Sequence, residues 1–328
     1  MAVSEDDIIA SYFAPLAGPG ALGLRDDAAC LTPPPGCDLV LTADAIVAGV
    51  HFFPDDPPES IARKALRVNV SDLAAKGADP LGFLLTFAID EHVSADWIAR
   101  FAQALGEDAA QFNCPLLGGD TVRTPGPLTF SVTALGATPH GRMAARTGAR
   151  PGDYLYVSGF IGDAALGLHA RMGDRPWVGR LTDTSRAYLI DRYLHPQPRL
   201  ALAHALRDHA SGAMDVSDGL AGDLAKMMRA SGTGARVDLA RVPLSDAVRA
   251  AARMEPALLE TALTGGDDYE ILASAAPERA GAFEQAARAA GVHMARIGVV
   301  TADADAGAVF LDANGAPRTF ARGSYSQF

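Results

Sequence analysis

The stretch Asn69-Val70-Ser71-Asp72-Leu73-Ala74-Ala75-Lys76-Gly77-Ala78-Asp79-Pro80 constrains this chain more than any other. An apolar pattern at helical spacing (Ile61, Ala65, Leu66, Val68) runs into it. Leu73, Ala74 and Ala75 continue the helix, and Gly77 and Pro80 stop it. One carboxylate, Asp72, is thus placed on rigid backbone near a helix end. A carboxylate so fixed either caps a helix or binds a cation. Four further motifs set aspartate beside a glycine or another small residue. They are Arg25-Asp26-Asp27-Ala28-Ala29, Thr42-Ala43-Asp44, Gly118-Gly119-Asp120-Thr121 and Met214-Asp215-Val216-Ser217-Asp218-Gly219. Singly, each is equally well explained as a cap or turn residue; their number favours cations.

Magnesium suits such a scatter, because its octahedral shell takes one or two carboxylates and is completed by water and substrate phosphates. The candidates are Asp27, Asp44, Asp72, Asp120, Asp215 and Asp218. Other chemistries lack their signatures. No histidine pair or cysteine knuckle offers a zinc site. The three lysines, Lys64, Lys76 and Lys226, do not end a G-x-x-x-x-G-K loop, and no G-x-S-x-G surrounds Ser158 or Ser217. Gly18-Pro19-Gly20-Ala21-Leu22-Gly23 matches G-x-G-x-x-G, but a helix pattern precedes it where a dinucleotide fingerprint needs a strand. Gly118-Gly119 would let backbone amides approach phosphate oxygens while Asp120 holds a cation beside them, and Arg146 would supply fixed positive charge.

The formal charge of -11 argues against a nucleic-acid partner, so anionic ligands need metal ions to bind here. Three cysteines without metal spacing or an even count suit a reducing cytoplasm, and no apolar run is long enough for a bilayer. With 328 residues, 49% of them hydrophobic, the chain has material for two domains.

Helical spacing is expected at 4–16, 57–73 and from Trp97 to Phe112, with strands at 38–44, 81–89 and 128–137. The glycine- and arginine-rich run Gly141–Asp153 marks the domain boundary, giving domains 1–148 and 149–328. The second half reads as α+β, with strands at 154–158, 213–216, 269–274, 293–300 and 308–311 and helices such as 199–209 and 277–290. Val70-Ser71-Asp72 precedes Gly118-Gly119-Asp120 much as Val216-Ser217-Asp218 precedes Gly265-Gly266-Asp267. We read this as convergent turn chemistry rather than duplication.

Together, Asn69–Pro80, Gly118–Thr121, Gly141–Asp153, Met214–Leu220 and Gly265-Gly266-Asp267-Asp268-Tyr269-Glu270 resemble the thiamine-monophosphate kinase family, within the aminoimidazole-ribonucleotide synthetase-like superfamily. The likeness covers nearly the whole chain. It implies an α/β N-terminal domain whose sheet forms a homodimer, and an α+β C-terminal domain that completes the substrate site. It makes Asp27, Thr42, Asp44, Asp72, Asp120, Asp215 and Asp218 magnesium ligands. Gly119, Asp120, Arg146 and Ser217 become ATP contacts, and His51, Asp267 and Tyr325 contacts to thiamine monophosphate. Arg25 stands where the family usually has glycine, Ala43 where threonine is common, and Asp267 where glutamate is usual.

The implied reaction is magnesium-assisted, in-line transfer from ATP to thiamine monophosphate, with no general base. The alternatives are another ATP-dependent enzyme of the superfamily, or a catalytically silent nucleotide or thiamine-phosphate binding protein. The latter should have lost metal ligands, and none of the six aspartates is lost.

Overall fold

The computed structural model describes residues 4–321 and 323–324. Two compact units divide the chain: one takes it up to Leu73 together with Ala78–Gly141, the other takes Ala74–Gly77 and the chain from Arg142 onward. The division falls at the head of the glycine- and arginine-rich run.

The first unit opens with α1 (Glu5–Ile8), capped by Ser4, whose hydroxyl accepts the Asp7 N–H at 3.2 Å. The expected helix does not keep one pitch. It widens into a π turn at Ile9–Phe13 and tightens into a 3₁₀ turn at Ala14–Leu16, where Pro15 has no N–H to give. There follow β1 (Cys37–Val47), α2 (Pro58–Ala75), β2 (Asp79–Ile89), α3 (Ala95–Gln111), β3 (Leu116–Arg123) and β4 (Thr129–Pro139). They form a four-stranded sheet in the order β1-β4-β2-β3, with only β2 and β3 parallel. β3 is not among the expected strands, because its paired glycines break any apolar alternation.

One face of the sheet is covered. Phe87 of β2 and Phe130 of β4 meet Trp97 and Phe101 of α3, with the Phe101 and Phe130 rings 4.9 Å apart, so the aromatics of that helix are core. α2 is locked to α3 by a buried two-pronged ion pair: Arg67 donates to Asp108 through Nε at 2.6 Å and through its terminal nitrogen at 2.9 Å. On the opposite face, Leu41 is 62% and Leu84 39% exposed, with half-buried Leu135 beside Leu41 in the ladder.

The second unit contains β5 (Tyr154–Ser158), α4 (Asp163–Met172), α5 (Asp183–Leu194), α6 (Ala203–His209), β6 (Gly212–Val216), α7 (Leu220–Ser231), β7 (Gly234–Asp238), α8 (Asp246–Met254) and α9 (Leu258–Thr264). It ends with β8 (Glu270–Ala275), α10 (Pro277–Ala289), β9 (Met294–Thr301), β10 (Ala308–Leu311) and β11 (Pro317–Arg318). Its sheet runs β11-β10-β7-β9-β5-β8-β6. The five expected strands are β5, β6, β8, β9 and β10; β7 and the two-residue β11 are additional. Both faces are packed: Leu155, Val157, Met214 and Leu272 lie under α7, and Tyr156, Ala213, Ile271 and Ala273 under α6 and α10. Burial on both sides explains why these strands read as continuous apolar runs.

The two units are thus α/β and α+β, as expected. Among the described residues no helix is long and apolar enough to cross a membrane.

Candidate active site

In the first unit the site is built where the last turns of α2 meet β1. Asn69 and Asp72 are three residues apart and share one helix face. Buried Asn69 anchors the junction: its Oδ1 accepts the backbone N–H of Asp44 at 3.0 Å, and its amide donates to the Ala65 carbonyl. Asp72 accepts the Thr42 hydroxyl at 2.5 Å. It lies inside α2 and bonds a neighbouring strand, so it is not a cap. Thr42, Asp44 and Asp72 are therefore gathered, with Asp44 exposed at its strand's surface.

His51 follows the end of β1. Its ring Nδ1 accepts the Val47 N–H at 3.1 Å, and its carbonyl accepts Lys64 Nζ at 2.9 Å. The first bond makes Nδ1 the acceptor, so in the neutral ring the proton sits on Nε2.

Two predicted residues stand apart from this group. Asp27 is exposed on the loop before β1, its N–H donating to Asp26. Asp120 lies on β3, at the other edge of the sheet from β1. Three inter-strand steps separate those edges, about 14 Å. Asp44 and Asp120 of one chain therefore cannot share an ion. Gly119 has its own reason to be glycine: at φ +152°, a Cβ there would sit 1.8 Å from the Leu85 carbonyl oxygen.

In the second unit β6 delivers Asp215, and the turn into α7 carries Ser217 and Asp218. The loop before β8 is tied against that turn, Asp267 N–H donating to the Ser217 carbonyl and Tyr269 N–H to that of Val216, both at 2.8 Å. The backbone segments that carry Asp215, Ser217 and Asp218 and that carry Asp267 are thereby joined. Asp267 sits at φ +74° and Tyr269 at φ +51°, left-handed conformations that cost non-glycine residues energy and cluster at functional sites. Beside this loop a small polar cavity is lined by Asp163, Tyr188, Arg192, Arg199, Asp268 and Glu270. Burial pushes the Asp268 carboxyl well above the usual carboxylate range, against the lowering effect of the N–H groups of Gly162 and Ala164.

Arg146 lies elsewhere in this unit. Its carbonyl accepts the hydroxyl of Ser231, the last residue of α7, a helix length of about 18 Å from the Asp218 end. It is exposed, and an extended ligand would be needed to touch both. Tyr325 lies outside the described residues.

Sequence reasoning missed Asn69, Asp223 and Lys226 as site residues. Asp223 is fully buried, and its Oδ2 accepts the N–H groups of Ser217 (2.9 Å) and Asp218 (2.8 Å). Its position five residues beyond Asp218, at the start of a helix, was the available signal. The paralleled triplets prove locally unlike: Val70-Ser71-Asp72 is helical while Val216 ends a strand, and Gly118-Gly119-Asp120 is strand while Gly265-Gly266-Asp267 is loop. The paralleled orderings are therefore not repeats of one local structure, and the first pair does not sit in turns.

Among the described residues no three acidic, histidine or cysteine side chains gather closely enough to hold a metal ion by themselves. Single carboxylates beside a hydroxyl are nonetheless hard oxygen donors, and they fit magnesium, whose remaining positions go to water and phosphate.

The chain matches the family model for AIR synthase related protein, N-terminal domain, over residues 25–138, and that for its C-terminal domain over 150–310. A thiamine-monophosphate kinase of Caulobacter vibrioides is 47% identical over 302 residues, covering 90% of this chain and 83% of that protein. That of Escherichia coli K12 is 41% identical over 331 residues, covering 100% and 99%. The chain belongs to the thiamine-monophosphate kinase family. A crystal structure of thiamine-monophosphate kinase from Stenotrophomonas maltophilia agrees at a TM-score of 0.82 and 36% identity, over 97% of this chain and 99% of that one. A structure described as AaThiL complexed with AMPPCP and TMP agrees at 0.78 and 27%, over 94% and 97%. The domain models take in every proposed thiamine-monophosphate kinase site residue except Arg146, which falls between them, and Tyr325, which falls beyond.

Proposed function

We propose that this chain phosphorylates thiamine monophosphate to thiamine diphosphate at the expense of ATP. The observation that carries the reading is the end-to-end match to thiamine-monophosphate kinases, 41% identical across 100% of the chain in the Escherichia coli case. The likeness to a structure described with AMPPCP, an ATP analogue, and TMP supports the same substrates.

Thr42, Asp44, Asp72, Asp27 and Asp120 in the first unit, with Asp215 and Asp218 in the second, would hold the magnesium ions. Those ions, when bound, neutralise and align two anionic phosphates for in-line transfer. The chain's own residues do the positioning. Asn69 fixes the strand bearing Asp44, and Thr42 fixes the Asp72 carboxylate. Gly119, Asp120, Arg146 and Ser217 contact ATP; His51, Asp267 and Tyr325 contact thiamine monophosphate. His51 has Nδ1 engaged by the Val47 N–H, which fixes the ring at the end of β1 where it would meet a phosphate oxygen of the acceptor. It orients the acceptor rather than deprotonating it. A phosphate monoester loses its second proton near a pKa of about 6, so the nucleophile needs no base at neutral pH. Incubation with ATP, magnesium and thiamine monophosphate should give thiamine diphosphate and ADP in equal amounts. ADP without thiamine diphosphate would reject this function, and transfer that survives complete chelation would reject the metal's part in it.

The exposed leucines of the first unit's sheet support a homodimer formed through that face, and three cysteines without a paired framework suit a cytoplasmic location. Two sheets closing on each other would bury Leu41 and Leu84, each otherwise held in water. Sedimentation at micromolar concentration should give a dimer, and Leu41→Glu with Leu84→Arg should give a monomer. A monomeric wild type would remove the proposal.

A further inference from the structure

Asp218 and Asp72, both read above as cation ligands, have unlike partners. Asp72 is paired with a neutral hydroxyl, Thr42. Asp218 is paired with an ammonium. Lys226, on the same face of α7 as Asp223, donates from Nζ to Asp223 Oδ1 at 2.8 Å and to Asp218 Oδ2 in a shorter contact. Asp223 is sealed from water and its other oxygen is engaged by two backbone N–H groups, so it is a fixed anchor for the lysine. Asp218 is different: its side chain is 41% exposed and that of Lys226 32%, so solvent ions reach the pair.

An ammonium and a hydrated divalent ion compete for the same carboxylate oxygen, and they repel each other at such spacing. We propose that Lys226 is a resident counter-ion of Asp218, holding that carboxylate in place until a divalent cation displaces the ammonium. It is a positioning residue that sets the cation concentration at which the second unit's donors fill. The inference rests on Asp218 being a cation ligand.

Manganese titration of the nucleotide-free full chain, followed by electron paramagnetic resonance of free Mn²⁺, tests it. Lys226→Gln removes the charge while keeping a donor for Asp223, and Lys226→Arg keeps the charge. The Gln variant should bind Mn²⁺ on the order of tenfold more tightly, the effect of removing one adjacent like charge. The Arg variant should match wild type, and the gain should vanish in an Asp218→Asn background. If Asp218→Asn weakens binding but Lys226→Gln leaves it equal or weaker, Asp218 is a ligand and the counter-ion role is wrong. If Asp218→Asn changes nothing, the ligand reading and this proposal fall together.

Discussion

Asp72→Asn is expected to lower kcat for phosphoryl transfer by about 10²–10³-fold, the scale on which losing one group that stabilises developing charge is felt. The amide keeps the shape of the carboxylate and can still accept the Thr42 hydroxyl, so the join between α2 and β1 survives. What is lost is charge. A thermal melt without magnesium should stay close to wild type, because the exchange is isosteric and the site is only half-buried. Turnover at the wild-type rate, or a variant that unfolds readily, would make Asp72 a structural residue.

Asp108→Ala is expected to act in the opposite sense, on folding rather than chemistry. It removes the carboxylate that Arg67, a side chain 9% exposed, holds through two nitrogens. Breaking a buried ion pair by removing one partner costs about 3–5 kcal/mol. In a chain of this size that corresponds to a fall in Tm on the order of 10 °C. Replacing both partners together, Arg67→Met with Asp108→Leu, should recover most of the loss, since the pair is then removed whole and Arg63, 4.0 Å from Asp108, keeps its bond to Glu107. Thermal denaturation of the two variants distinguishes them; a loss below 1 kcal/mol for Asp108→Ala would show that water reaches Arg67.

These outcomes concern features of unequal visibility in the sequence. Strands with strong apolar runs, such as Leu81–Ile89, were legible because burial imposes them directly, and Trp97 and Phe101 declared a core-facing helix by spacing. β3 was not, since its glycines answer to the close approach of β2, a tertiary contact that leaves no periodic trace. The aspartates were legible as a set, but not their grouping. Nothing in the spacing of Asp44 and Asp120 reveals that the sheet order β1-β4-β2-β3 sends them to opposite edges. In the sequence Lys226 is only a lysine outside a phosphate loop; its pairing with Asp218 and Asp223 depends on how the turn meets α7.

The wide spacing of the carboxylates has a thermodynamic side. On the proposed function, a site that gathers no three ligands among the described residues would be a poor chelator, and a divalent ion would arrive and leave with the phosphates that complete its shell. Linkage then works in both directions: whatever factor the ion adds to nucleotide affinity, the nucleotide adds to the ion's. Dialysed protein should carry little metal, and free nucleotide and free cation should each be weak ligands. The form expected to dock is then their complex, and its abundance in solution would set how fully the protein is charged.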